Sequence, residues 1–79
     1  MNNLKNAYPR WMKLKIAAFY SGIGKERLKS LARDGRIKGF QDPDSKRGDW
    51  IFDKKSLDIY RENQAGHIYE KAFAILGRA

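Results

Sequence analysis

The chain has no cysteine, two prolines and a single histidine among its 79 residues. Without cysteine it can form neither disulfides nor thiolate metal sites, so we expect an intracellular setting. No apolar run approaches the roughly 20 residues that a membrane-spanning helix needs. Residues 1–5 also lack the apolar segment of a signal peptide. We therefore expect a soluble cytoplasmic protein.

Residues typical of catalysis are also scarce. The one histidine, His67, lies near the C-terminus, and no Gly-x-Ser-x-Gly turn presents a serine nucleophile. The string Gly22-Ile23-Gly24-Lys25 is not a Walker phosphate loop, because Phe19 takes the place of the first glycine and Glu26 that of Ser or Thr. A domain this small rarely holds a catalytic cleft. We expect no enzymatic activity, no cofactor and no small-molecule substrate.

Metal binding is not indicated either, although three aspartates lie between residues 42 and 49. Lys46 occupies the fifth ligand position of a calcium loop, the glycine comes one place late, and no glutamate closes the loop. Asp42 and Asp44 are better explained as turn-forming residues. We expect no metal site.

Positive charge is abundant and unevenly placed. The net charge is +8, and residues 1–40 hold ten Lys or Arg against two acids, whereas residues 41–79 hold seven of each. Such segregation favours a polyanionic partner, with nucleic acid ahead of an anionic membrane surface and of no polyanion at all. RNA is less favoured than duplex DNA, because the aromatic residues lie mainly at core spacings.

Two short helices are predicted in the basic half. The first covers about residues 13–20, with Leu14, Ala17 and Ala18 facing the core. Ile16 and Phe19 lie on another side and need a second neighbour. That neighbour is either the C-terminal segment, which is slightly favoured, or another protein.

The second helix covers residues 25–34, with Gly24 at its N-cap and Gly35 at its end. Its apolar stripe is Leu28, Leu31 and Ala32. The connection from residue 21 to 24 is so short that the two helices must meet at a steep angle, with Ile23 between them. This arrangement is a helix-turn-helix.

A hairpin and further helices are predicted beyond Gly35. Residues 36–40 and 50–52 read as strands, joined by a polar loop with Lys46 and Arg47 near its tip. Asp53 is expected to N-cap a helix over residues 54–63, ended by residues 63–66. Its buried stripe is Leu57 and Tyr60, with Ile59 partly covered. A separate helical segment over residues 67–76 carries an apolar stripe of Ile68, Ala72, Ile75 and Leu76.

The order helix, tight turn, helix, hairpin, helix is that of a winged helix-turn-helix, mainly α with a small β-hairpin. We expect a flexible arm over residues 1–10. Tyr8 of this arm and Trp11, just beyond it, are expected to close one end of the core. A DNA-binding domain is expected over residues 11–63, and a C-terminal helical segment or tail over residues 64–79.

The residues themselves resemble the excisionase family, which is related to the DNA-binding domain of MerR-type regulators. The resemblance covers about residues 12–62. It is carried by Ala17–Gly24, by Leu28, Leu31 and Gly35, and by Trp50–Leu57. Lys13 and Gly24 depart from the pattern, since the family usually has Ser or Thr caps there. The resemblance implies a recombination directionality factor that bends DNA and favours integrase-mediated excision.

If so, the second helix enters the major groove and the loop reaches the backbone or minor groove. The expected contacts on the helix are Lys25, Glu26, Arg27, Lys29, Ser30 and Arg33, and on the loop Lys46 and Arg47. Glu26 either accepts from a cytosine amino group or orients a neighbouring arginine. The expected partners are double-stranded DNA and, on it, integrase or further copies of the protein, for which the apolar faces above are candidates.

Two other functions remain open. A small transcriptional regulator of the same fold would bind an operator instead of repeats beside an attachment site. A protein-interaction module would use the fold only as a scaffold and would bind DNA without specificity. In either DNA-binding case the protein is expected to be associated with the nucleoid.

Overall fold

The computed structural model describes residues 7–76, with side chains described as far as residue 68. The order of elements is β1 (Trp11–Lys13), α1 (Leu14–Ser21), α2 (Lys25–Arg33), β2 (Gly39–Gln41), β3 (Trp50–Asp53) and α3 (Lys54–Leu76). The described chain is therefore mainly helical, with one three-stranded antiparallel sheet of order β1-β3-β2. Among the helices of this described part, none is both long and apolar enough to cross a membrane.

Helices α1 and α2 form as predicted and meet through a three-residue connection. Gly22 takes a left-handed conformation with φ of 73°, and its N–H donates to the Ala18 carbonyl at 2.9 Å, which ends α1. Ile23 is 3% exposed and fills the space between the two helices, as expected. Gly24 is the N-cap of α2, and no side chain caps this helix start.

Helix α2 ends in a Schellman motif at Gly35. The φ of Gly35 is 77°, which favours glycine. The N–H of Arg36 donates to the Leu31 carbonyl at 2.9 Å and the N–H of Gly35 donates to the Ala32 carbonyl at 3.1 Å, which is the bonding pattern of that motif. The backbone of Arg36 is thereby fixed at the end of α2, so β2 starts only at Gly39 and not at residue 36 as predicted.

Strand β1 was not predicted. Trp11, Met12 and Lys13 pair with Asp53, Phe52 and Ile51 across β3, so the predicted hairpin is part of a three-stranded sheet. The pairing buries Met12 to 1% exposure. It also attaches residues that were assigned to a flexible arm: the Arg10 carbonyl accepts from the Lys54 N–H at 2.7 Å. Residues 1–6 of the predicted arm lie outside the described part.

The core lies between the sheet and all three helices. Tyr8 packs against it, as expected. Trp11, in contrast, is 43% exposed and contacts Phe40 edge-on, with 5.9 Å between the two ring centres. Its buried members come from every element except β2 and from two connections between elements. They are Met12, Ala17, Ile23, Leu28, Leu31, Ile37, Phe52 and Leu57.

Helix α3 is one continuous helix of 23 residues, so the predicted break at residues 63–66 is wrong. Gly66 lies inside it, where glycine costs only about 1 kcal/mol relative to alanine. In the turn before it, the Arg61 guanidinium donates to Gln64 Oε1 at 3.0 Å. Asp53 caps the helix as predicted, its Oδ1 accepting from the Lys55 N–H at 3.3 Å.

Ile16 and Phe19 are 43% and 78% exposed, so the described side chains of α3 leave this face of α1 largely uncovered. Covering of this face by another protein stays a prediction. Ile59 and Ile68 are also exposed, at 48% and 65%. The side chains of the remaining stripe residues, Ala72, Ile75 and Leu76, lie outside the described residues.

Candidate nucleic-acid interface

Helix α2 carries its charged residues on every side that the core does not use. Leu28 and Leu31 are buried, which fixes the rotation of the helix. At 100° per residue, Glu26, Ser30 and Arg33 then point away from the core. Ser30 and Arg33 are indeed exposed.

Lys25 and Lys29 occupy the flank of α2 that faces the loop between β2 and β3. They line a groove of about 530 Å³ together with Arg47 of that loop. The groove thus joins two elements that the sequence predicted as separate parts of the site. Its other lining residues are Lys13, Leu14, Lys15, Gly48, Asp49 and Trp50.

Lys13 and Lys15 were not predicted as site residues. Lys13 is the last residue of β1 and Lys15 lies in the first turn of α1. They enter the groove because β1 holds the N-terminus of α1 beside β3. The only sequence signal for them is the excess of positive charge in residues 1–40. The pairing that places them joins residues about 40 apart in the chain, so no local pattern reveals it.

Asp49 is the one acidic residue among those that line the groove. Its Oδ2 lies 3.7 Å from Lys13 Nζ and 3.4 Å from Arg47 Nη2. A hydrogen bond from Ser45, with the positive charges of Arg47 and Lys13, holds the pKa of Asp49 below its ordinary value. The carboxylate is therefore charged at neutral pH and lies within ion-pair distance of both cations.

The loop that carries Lys46 and Arg47 has an ordered backbone. Asp42 Oδ1 accepts from the Asp44 N–H at 2.9 Å, which confirms the turn-forming role of Asp42. A second turn runs from Ser45 to Gly48 and is closed by a hydrogen bond from the Gly48 N–H to the Ser45 carbonyl at 3.2 Å. The φ of Gly48 is 70°. Lys46 and Arg47 are the two central residues of this turn, and both are exposed.

Arg33 is held by an aromatic stack. Its guanidinium lies 5.5 Å from the centre of the Trp50 ring. Trp50 in turn stacks on the buried Phe52, with 5.9 Å between ring centres. The stack orients Arg33 on the outer side of α2 beside the groove.

Glu26 and Arg27 lie apart from the groove. Glu26 is paired with Lys29 at 3.4 Å and not with an arginine, and its side chain is 86% exposed. Arg27 projects from the other flank of α2, where its Nη2 donates to the hydroxyl of Tyr60 on α3 at 3.3 Å. The predicted site is thus divided between two flanks of one helix.

The groove offers cations and hydrogen-bond donors and has no constellation for holding a metal. Within the described residues, no group of three or more His, Asp or Glu side chains is placed to bind an ion. Lysine and arginine bind phosphate groups by charge and, for arginine, by paired hydrogen bonds. The groove is thus lined by side chains of a kind that can bind phosphate groups, namely four lysines and one arginine, beside the carboxylate of Asp49.

Comparison with known proteins identifies no family for this chain. No protein-family model matches it, and neither a curated protein nor a solved structure gives a match.

Proposed function

We propose that this protein is a sequence-specific double-stranded DNA-binding protein with a winged helix-turn-helix fold. In this proposal α2 enters the major groove and the loop between β2 and β3 acts as the wing. The observation that carries it is the groove in which Lys25 and Lys29 of α2 meet Arg47 of the loop. A duplex with its backbone in this groove would contact both elements at once.

The charge row on α2 supports a polyanionic ligand. Lys25, Lys29 and Arg33 are spaced at i, i+4 and i+8, and like charges at such spacings cost a helix about 0.2–0.5 kcal/mol per pair. Asp49 and Glu26 neutralise only part of this surface. Phosphate groups along the row would remove the remaining repulsion, so DNA binding turns a cost to folding into a gain.

The biological role that we propose is that of an excisionase-like factor, which bends DNA and directs integrase-mediated excision. It rests on the resemblance of residues 12–62 to that family. Affinity from one small domain is expected to be modest, so we propose cooperative binding beside integrase or further copies of the protein, on nucleoid DNA. Binding sites repeated beside an attachment site would support this role, whereas a single operator at a promoter would indicate a transcriptional regulator instead.

Selection of bound duplexes from a random pool tests the proposal. We expect a recurrent sequence motif and a salt-dependent affinity. With about six phosphates neutralised, log K should fall with log salt at a slope of roughly −5. A pool that yields no motif, with only charge-driven binding, would contradict specificity and favour the protein-interaction alternative.

Charge-matched variants locate the interface. Lys25→Ala, Lys29→Ala and Arg47→Ala should each weaken binding and reduce the salt slope by about 0.9, the value expected for one phosphate contact. Lys54→Ala is the control, because it removes the same charge from the first residue of α3, which does not line the groove. Equal effects of all four variants would mean that only net charge matters.

A further inference from the structure

A second cationic surface lies on the flank of α2 away from the wing. Arg27 is separated from Lys25 and Lys29 by 160° to 200° around the helix axis, at about 100° per residue. It contacts α3 and shares no cavity lining with the loop between β2 and β3. Arg36, which follows the Schellman motif, lines the same cavity as Arg27.

The lining of this cavity is rich in hydrogen-bond donors. It measures about 500 Å³ and is formed by Arg27, Arg36, Tyr60, Asn63, Gln64 and His67. Each of these side chains can donate a hydrogen bond, and none of the described residues that line the cavity is acidic. The groove on the wing side differs in this respect, because Asp49 lies within it.

Tyr60 places an uncharged hydrogen-bond donor, its hydroxyl group, beside Arg27 and Arg36. Its hydroxyl oxygen accepts from Arg27 at 3.3 Å and from Gln64 Nε2 at 3.5 Å, which leaves the O–H free to donate outward. The hydrogen bond from Arg27 and the charges of Arg27 and Arg36 hold the pKa of this phenol below its ordinary value. The cavity is thus a positive environment that favours an anion.

A helix lying in the major groove has a sugar–phosphate backbone along each of its two flanks. The groove is about 12 Å wide and a helix with its side chains is about 10–12 Å across, so both flanks come close to phosphates. In the proposed complex, the groove between α2 and the wing contacts only one of these two sugar–phosphate backbones. The opposite flank of α2, in the same placement, faces the other strand.

We propose that Arg27, Arg36 and Tyr60 bind a backbone phosphate of the DNA strand opposite to the one held at the wing. The inference rests on the proposed DNA binding and adds a second anchoring point to it. Arg27 and Arg36 supply charge, Tyr60 supplies a hydrogen bond, and the pair of anchors fixes the rotation of α2 within the groove. Arg36 and Tyr60 were not among the residues predicted from the sequence.

The test measures duplex affinity against salt for Arg36→Ala, Arg36→Lys and Tyr60→Phe. Lys54→Ala is the control, because Lys54 lines neither this cavity nor the groove on the wing side. Arg36→Ala should weaken binding and reduce the salt slope by about 0.9, whereas Arg36→Lys should keep the slope. Tyr60→Phe removes a hydroxyl and no charge, so it should weaken binding at an unchanged slope. Lys54→Ala should leave affinity near that of the unmodified protein.

Neutral methylphosphonate linkages on one strand at a time identify the strand. On the selected duplex, linkages that abolish the effect of Arg36→Ala should lie on the strand opposite to those that abolish the effect of Lys25→Ala. If both sets fall on one strand, or if Arg36→Ala and Tyr60→Phe bind like the unmodified protein, the inference is wrong. Failure of the unmodified protein to bind duplex would instead overturn the proposed function itself.

Inorganic phosphate serves as the small-anion probe. We expect it to shift the amide resonances around Arg36 and Tyr60 only at concentrations far above those at which duplex does so. Saturation by submillimolar phosphate, without any effect of Arg36→Ala on duplex binding, would assign the cavity to a free phosphate and overturn the DNA assignment.

Discussion

Single side chains connect the helices to one another. The Tyr20 hydroxyl on α1 donates to Asp58 Oδ1 on α3 at 2.7 Å, and Arg61 Nε donates to the Ser21 carbonyl at 3.0 Å. The second bond satisfies a carbonyl at the end of α1, where a cation also interacts favourably with the helix dipole. These two hydrogen bonds hold α3 against α1, whereas the exposed side chains of Ile16 and Phe19 do not contribute to this contact.

Burial, together with the hydrogen bond to Asp58 and the negative charge of Asp58, raises the pKa of Tyr20 from 10.0 to about 12. Between pH 10 and 12 the unfolded chain therefore loses a proton that the folded protein keeps. Because the folded state binds more protons there, the free energy of unfolding should fall as pH rises through this interval. Below pH 10 the contribution should be fully present.

Replacing Tyr20 by Phe isolates this effect. We expect Tyr20→Phe to cost about 0.5–1.5 kcal/mol at pH 8, because the hydrogen bond to Asp58 is lost. Its free energy of unfolding should then fall less steeply between pH 10 and 12, as measured by urea titration at each pH. Parallel pH profiles for the two proteins would show that Tyr20 keeps an ordinary pKa in the fold.

Gly39 is the position where an added methyl group has no room. A Cβ there would lie 2.6 Å and 2.8 Å from atoms of the Phe52 ring and 3.1 Å from Ala32 Cβ. Phe52 is fully buried and cannot move aside without disturbing the core. We expect Gly39→Ala to lower the free energy of unfolding by about 1–3 kcal/mol, the usual cost of overpacking, in a denaturant titration. A cost below 0.5 kcal/mol would contradict this account of the sheet–helix contact.

At the scale of elements, the sequence predicted those helices whose start or end is determined by residues close to it in the chain. The apolar spacing of Leu28 and Leu31 predicted α2, and Gly35 predicted its end, because a 3.6-residue period and a left-handed glycine are local signals. Asp53 likewise predicted the start of α3. The residues at the ends of α1 and α2 were placed to within one position.

Elements specified by distant contacts were missed. Strand β1 has three residues and exists only because β3, about 40 residues later, pairs with it. The start of β2 was misplaced because Arg36 bonds back to α2. The same cause hid Lys13, Lys15 and Arg36 as candidate site residues, since their positions depend on these non-local bonds.

Helix α3 gives a direct test at this scale. Gly66 has a low helix propensity, yet the helix continues through it without a break. An added Cβ at Gly66 meets nothing within 4 Å, and the φ of this residue is not positive. We expect Gly66→Ala to increase helical circular dichroism and to stabilise the protein by about 0.5–1 kcal/mol. A destabilising result would mean that α3 needs the flexibility of glycine at this point, in contradiction to a continuous helix.

At the scale of the whole molecule, the part of the chain with the excess of positive charge is also the part that contains α2. The basic half of the chain forms β1, α1 and α2, and its cations line both flanks of α2. The sequence predicted the helix and the loop as sites but not their meeting in one groove, nor the second cavity with Arg36 and Tyr60. Both depend on the way the sheet and α3 pack around α2, which no single segment encodes.

The account depends most directly on the contact between α2 and duplex DNA, which an NMR titration of the isotope-labelled protein at low salt measures. We predict that the amide resonances of residues 25–33, of Lys46 and Arg47, and of Lys13 and Lys15 shift on addition of duplex, while those around Lys54, which lines neither the groove nor the second cavity, stay unchanged. Resonances of α2 and the loop that remain in place, while the duplex binds elsewhere or not at all, would contradict the account.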